Sequence, residues 1–254
     1  MPVERQSPHF IERHHYGEAH SIEEFTQNLS VVNDRIRAAA QRAGRPAQDV
    51  RLLPVSKTVN TDRLRNAYAA GIRTFAENKA QEVQRKSAEL SDLDVSWAVI
   101  GHLQTNKAKI VAEQAHEFHA LDSLKLAETL DRRLQTAGRG LDVLVQVNTS
   151  GETQKSGISP HELATFLHAM PQFSALNVVG LMTMALFSAQ ESEVRSCFRT
   201  LRETRDQVRQ NLPDGVRLDE LSMGMSGDFE LAIEEGSTVV RVGQAIFGSR
   251  TLPA

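Results

Sequence analysis

Eight short apolar runs recur along the chain, at about residues 51–56, 72–76, 95–101, 117–121, 142–148, 177–182, 218–222 and 238–242, and a helical pattern separates each from the next. The helical stretches fall at about 61–70, ending at Gly71, at 78–90, at 105–115, and at 123–137, ending at Gly138. A fifth opens with Ser159-Pro160-His161-Glu162 and stops before Pro171. A sixth spans about 189–210, with Val194, Cys197, Phe198, Leu201 and Val208 on one face, and a seventh spans about 227–235 and ends at Gly236. Strict alternation of this kind predicts parallel strands, because each helical crossover returns the chain to the same edge of the sheet. Eight such units in 254 residues favour an α/β chain closed into a (β/α)8 TIM barrel over an open sheet.

One helix stands outside the alternation. Ser21-Ile22-Glu23-Glu24 reads as a capping box, Ile22, Phe25, Leu29, Val32, Ile36 and Ala40 recur at helical spacing, and Gly44 and Pro46 end the run. The expected organisation is a mobile arm over residues 1–20 and a single barrel domain over 21–254, with this extra N-terminal helix across one end or side. The arm carries His9, His14, His15 and His20 without the partners a metal site needs, so it reads as solvated chain.

Composition narrows the function classes. The net charge is -3 with both signs mixed along the chain, which gives no basic field for nucleic acid. Cys197 is the one cysteine, so no intramolecular disulfide forms and a reducing cytosol is expected. No apolar run approaches a membrane span, and the N-terminus has charges and histidines where a signal peptide has an apolar core. A cytoplasmic protein, monomeric by default, without membrane or nucleic-acid partners, is the expectation.

In such a barrel the carboxyl ends of the strands share one mouth. They read Ser56-Lys57, Ala76-Glu77-Asn78, Ile100-Gly101-His102, Leu121-Asp122, Gln146-Val147-Asn148, Leu181-Met182-Thr183, Ser222-Met223-Gly224-Met225-Ser226 and Arg241-Val242-Gly243. Lys57 follows the apolar Leu52-Leu53-Pro54-Val55, and a desolvated lysine there can attack an aldehyde. By itself it reads more readily as a surface lysine opening a loop. Gly224-Met225-Ser226-Gly227 and Gly243-Gln244 leave the seventh and eighth strands, the usual phosphate position of such barrels, where backbone N–H groups can meet a dianion. Those glycines also suit tight turns. A lysine at strand one and a phosphate cradle at strands seven and eight suggest a ligand with both handles, and pyridoxal 5′-phosphate has an aldehyde and a phosphate.

The motifs Pro54-Val-Ser-Lys57-Thr, Phe75-Ala-Glu-Asn78, Val99-Ile-Gly-His-Leu-Gln-Thr-Asn-Lys107, Lys155-Ser-Gly157, Gly180-Leu-Met182, Ser222-Met-Gly-Met-Ser226 and Val240-Arg-Val-Gly-Gln-Ala-Ile-Phe-Gly248 resemble the YggS/PROSC family of pyridoxal phosphate homeostasis proteins. The resemblance runs in order from about residue 50 to 250. It implies a barrel like the N-terminal domain of alanine racemase and a Schiff base on Lys57. It further implies Arg241 at the pyridine nitrogen, Ser226 with Gly243 and Gln244 at the phosphate, and Met225 and Asn78 close to the cofactor. Two places depart from the pattern. Ala76 and Lys79 stand where the family has glycine and tyrosine, and Trp97-Ala98-Val99 stands where it has Trp-His-Phe.

An arginine at the ring nitrogen disfavours its protonation and weakens the ring as an electron sink. Racemases tolerate that arginine but need a second base; in the racemases resembled, it is a tyrosine from another domain. The tyrosines here are Tyr16, in the arm, and Tyr68, in a helix. The expectation is a carrier or regulator of the intracellular pyridoxal phosphate pool without robust turnover, delivering to apo forms of enzymes that use the cofactor, and no catalytic residue is assigned. Three rivals remain: a racemase-like enzyme, a Schiff-base aldolase acting on a phosphorylated substrate, and a binding module in which Lys57 only pairs with an anion. Lys155 is a candidate second contact, Lys79 and Lys107 read as surface charges, and His102 as a turn cap. Glu77 and Asp122 read as structural anchors, and Cys197 as core.

Overall fold

The computed structural model describes residues 16–248 apart from 153, 155 and 189. Its strands are β1 (Arg51–Pro54), β2 (Thr74–Glu77), β3 (Ser96–Val99), β4 (Glu117–Leu121), β5 (Leu141–Gln146), β6 (Leu176–Met182), β7 (Glu220–Ser222) and β8 (Val239–Val242). All pair in parallel, in the order β1-β8-β7-β6-β5-β4-β3-β2. A parallel bridge from Val55 to Ala76 brings β2 back to β1, so the sheet comes round into a barrel.

The helices are α1 (Ile22–Arg42), α2 (Thr61–Ala69), α3 (Ala80–Glu89), α4 (Ala108–Gln114), α5 (Leu124–Ala137), α6 (Leu163–Ala169), α7 (Glu191–Val208), α8 (Phe229–Glu234) and α9 (Gln244–Phe247). Local chemistry sets their starts. The Ser21 hydroxyl accepts from Glu24 N–H at 3.2 Å while the Glu24 carboxylate accepts from Ser21 N–H at 2.9 Å. The Asn60 side chain accepts from Arg63 N–H, and the Ser123 hydroxyl from Leu126 N–H. The stretch read as a helix from 105 opens as a 3-10 turn over Thr105–Lys107 before α4. α6 ends at Ala169, before Pro171 as expected, and Pro171 lies in the 3-10 turn Met170–Gln172 that follows.

Two apolar regions result. The larger fills the space between the sheet and the helices. The smaller, Leu53, Val55, Ala76, Ala98 and Val239, lies inside the barrel. Side chains alternate along a strand, so Arg51, Leu53 and Val55 share the inner face of β1. Glu117 and His119 share that of β4, Glu220 and Ser222 that of β7, and Val239 and Arg241 that of β8. Hydrogen bonds link the polar members of this set across the lumen.

α9 has only four residues, too short to cover the β8–β1 side of the barrel. α1 covers it instead. Phe25, fully buried on α1, meets Phe247 edge to face with ring centroids 5.6 Å apart. Asn28 donates to the Ile246 carbonyl, and Arg35 and Arg42 pair with Glu230 and Glu234 of α8. Of residues 1–20, the described part is tied down. Arg63 donates to the Ala19 carbonyl, Asn66 to that of His20, and Arg35 to the Tyr16 hydroxyl. His9, His14 and His15 lie outside the described residues.

Candidate functional site

Lys57 is half-buried in the turn that ends β1. Val59 N–H closes the turn onto the Ser56 carbonyl at 3.0 Å. Thr58 takes φ 68, a left-handed conformation that a β-branched residue holds only when its surroundings enforce it. The turn is anchored at Ser56, two residues earlier. Ser56 N–H donates to the Ala76 carbonyl, and the Ser56 hydroxyl donates to Glu77 Oε1 at 2.7 Å. Lys86 Nζ, reaching in from α3, donates to the Ser56 carbonyl at 2.9 Å and to Glu77 Oε1 at 2.6 Å. Both Glu77 and Lys86 are fully buried, and burial pushes the Glu77 carboxyl up against the pull of Lys86. Glu77 is thus the anchor the sequence suggests; its partner Lys86 gave no local signal, being a lysine on a helix whose other faces are solvated.

Arg241 lies across from Leu53 in the β1–β8 pairing, two residues from the mouth on β8. It is 3% exposed, and burial lowers its pKa to about 10, so it remains a cation at neutral pH. Nη1 donates to the Ser222 hydroxyl at 2.8 Å and Nη2 to the Thr183 carbonyl at 2.9 Å. These bonds fix the plane of the fork and leave its other N–H donors for a ligand.

The loop after β7 carries Met225, exposed, and Ser226, buried. The Ser226 hydroxyl accepts from Gly243 N–H at 3.2 Å and Ala245 N–H at 3.4 Å, joining the loops after β7 and β8. Gln244 begins α9, so its N–H is one the helix itself does not use. Gly224 has φ +95, and a Cβ there would lie 2.6 Å from the Ala232 Cβ. A Cβ on Gly243 would lie 3.0 Å from the Val55 carbonyl oxygen, so the loop after β8 runs directly beside the strand that leads to Lys57. Met225 N–H donates to Asp228 Oδ1, and burial raises the Asp228 carboxyl.

The remaining sequence candidates separate. Asn78 is exposed just past β2. Ala76 and Ala98, two of the departures from the family pattern, are register partners on β2 and β3 inside the lumen, whereas Lys79 is exposed at the start of α3. His102 and Asp122 meet at 3.3 Å across the ends of β3 and β4. Lys107 lies in the 3-10 turn before α4, Cys197 is buried under α7, and Lys155 lies outside the described residues. Among the described residues no His, Cys, Asp and Glu cluster suits a metal ion, and no helix is long and apolar enough to cross a membrane.

The family model for the N-terminal domain of alanine racemase matches residues 27–251. A pyridoxal phosphate homeostasis protein of Aquifex aeolicus is 41% identical over 224 residues, 88% of this chain and 97% of the relative. The chain belongs to this family of pyridoxal phosphate homeostasis proteins. The family resemblance holds in three dimensions. PipY of Synechococcus elongatus PCC7942, solved with pyridoxal phosphate bound, is 39% identical, with a TM-score of 0.74 over 84% of this chain and 99% of PipY. An alanine racemase of Clostridium difficile 630 shares the fold alone, with a TM-score of 0.72 at 13% identity; the present family member spans 58% of that longer chain.

Proposed function

We propose that the protein binds pyridoxal 5′-phosphate at the barrel mouth and acts in its intracellular homeostasis, holding the cofactor as a Schiff base on Lys57. The observation that carries this reading is the adjacency of β1 and β8. It sets the lysine turn beside the Ser226–Gly243 cradle and the clamped Arg241. The residues present suit the cofactor's three handles. Lys57 Nζ would be the amine that takes the aldehyde, with water as the leaving group. Ser226 and the amides of Gly243 and Gln244 take the phosphate, Arg241 takes the ring nitrogen, and Met225 and Asn78 border the ring. When bound, the cofactor supplies an electron-withdrawing ring. A guanidinium at the ring nitrogen keeps that pull weak.

The weak electron sink and the placement of the tyrosines support a carrier over a racemase, and the carrier reading includes a cytosolic pool with apo enzymes as recipients. A racemase needs a second base; of the two tyrosines, the Tyr16 hydroxyl accepts from Arg35, and Tyr68 lies under the Arg73 guanidinium, 4.0 Å from ring centroid to guanidinium carbon, at the far end of α2. The test is the absorption spectrum of the purified protein before and after borohydride, with peptide mapping. A band bleached by borohydride, with the adduct on Lys57 and lost in Lys57→Ala, is the expected result. No band after adding pyridoxal phosphate overturns the reading. Alanine or serine racemisation abolished by Lys57→Ala replaces the carrier with an enzyme.

A further inference from the structure

The lumen holds a polar column whose hydrogen-bond directions are fixed by its two charged ends. Arg241 Nη1 can only donate, so the Ser222 hydroxyl oxygen accepts from it. At the other end His119 Nε2 faces Glu117 Oε2 at 2.9 Å, and the ionised carboxylate only accepts, so the imidazole proton sits on Nε2. In the neutral ring Nδ1 is then bare and accepts from the Ser222 hydroxyl at 3.0 Å. Glu117 in turn accepts both arms of Arg51 at 2.9 Å, and Arg51 reaches Glu220 at 3.0 Å. A cationic His119 would turn Nδ1 from acceptor to donor and take from the Ser222 proton the partner it has in the neutral ring. The fully buried ring faces the cations Arg241 and Arg51 and the anion Glu117, with Glu220 paired to Arg51 and Asp228 acting on Arg241. Burial keeps the imidazole neutral, and its bond to Glu117 orders it.

We propose that His119, in its neutral Nε2–H tautomer, is a positioning residue that orients Ser222 and through it aims the Arg241 guanidinium at the ring nitrogen of the cofactor. The proposal rests on the reading of Arg241 given above. His119 does not touch the ligand. Its contribution is to commit the Ser222 proton downward, so that the hydroxyl oxygen holds Arg241 in one plane.

Two measurements test it. Nitrogen NMR of the labelled protein, without cofactor, reads the tautomer directly: a protonated Nε2 and a bare Nδ1 at His119 are expected, and a proton on Nδ1 at neutral pH overturns the proposal. In the second, the bound cofactor's spectrum is titrated with pH in His119→Leu, His119→Asn and Ser222→Ala. The midpoint is expected to move by about one unit in His119→Leu and in Ser222→Ala. Cofactor affinity is expected to fall about tenfold in each, without adding when His119→Leu and Ser222→Ala are combined. Asparagine, which keeps an acceptor near the Nδ1 position, is expected to restore most of both. A wild-type band with unmoved midpoints in the variants overturns this proposal alone. A wild-type protein that binds no cofactor overturns the site reading and this proposal with it. If His119→Leu does not fold, Ser222→Ala and the tautomer decide.

Discussion

Lys86 Nζ lies 2.6 Å from Glu77 Oε1 with both side chains fully buried, and the pair grips Ser56 immediately before Lys57. A buried ion pair adds little net stability, but removing one partner strands a charge in a low-dielectric site. Lys86→Met is therefore expected to destabilise the fold by about 3 kcal/mol, and the double variant Lys86→Met/Glu77→Gln by clearly less. Urea unfolding of the three proteins checks this. Equal losses in the single and double variants would show that packing, rather than charge, holds the turn.

Stability should fall on acidification because of the lumen. His119 is held below its ordinary value of 6.5 by burial, so below that pH the unfolded chain takes up a proton that the folded chain refuses. Glu117 acts further down: burial raises it, but hydrogen bonds from His119 and Arg51 win and hold it at about 2, so its contribution is present above 4.5 and lost as pH falls toward 2. Glu77 and Asp228, raised by burial, act with the opposite sign just above their ordinary values. Comparison with His119→Leu isolates the histidine. The stability gap between wild type and variant is expected to narrow as pH drops from about 6.5 to about 5. A constant gap over that range contradicts the assignment.

The two cradle positions should respond differently. Gly224→Ala puts a methyl 2.6 Å from the Ala232 Cβ at a left-handed backbone position, and a loss of more than about 2 kcal/mol in unfolding free energy is expected. Ser226→Ala removes only an acceptor from the Gly243 and Ala245 N–H groups. Its stability is expected to change by about 1 kcal/mol, while its affinity for pyridoxal phosphate drops about tenfold by equilibrium dialysis, the equivalent of one hydrogen bond to a charged group.

α1 should behave as part of the barrel wall. Phe25→Ala removes a fully buried ring from the Phe247 contact, and a loss of about 3–5 kcal/mol is expected. Thermal unfolding that showed α1 leaving in a separate early step would sink the view that it replaces the missing outer helix.

Particular residues show why some of this was legible in the sequence. The apolar run before Lys57 announced a strand end, because side-chain periodicity is local and survives without tertiary context. Gly224 and Gly243 stood out for the same reason, since backbone close approach leaves glycine as its mark. His119 gave no such mark. Within Glu117-Phe-His-Ala-Leu121 it reads as one polar residue in an apolar strand, and its partner Ser222 lies 103 residues away. Lys86 was equally silent, since a lysine on an amphipathic helix ordinarily faces water. Ala76 and Ala98 read as two separate departures, yet they are one site, because the β2–β3 register sets them side by side.

The alternation of elements, the lysine at the end of β1 and the glycine loops after β7 and β8 could be read from the chain, because each depends on chemistry within a few residues. Which groups face inward and meet there depends on the closed sheet. Arg51 finds Glu117 and Glu220, and Arg241 finds Ser222 and His119, because closing the barrel brings β1, β4, β7 and β8 around one narrow lumen. In that space a charge or polar group without a partner would be costly, so the register of the whole sheet, and no local pattern, selects the pairs.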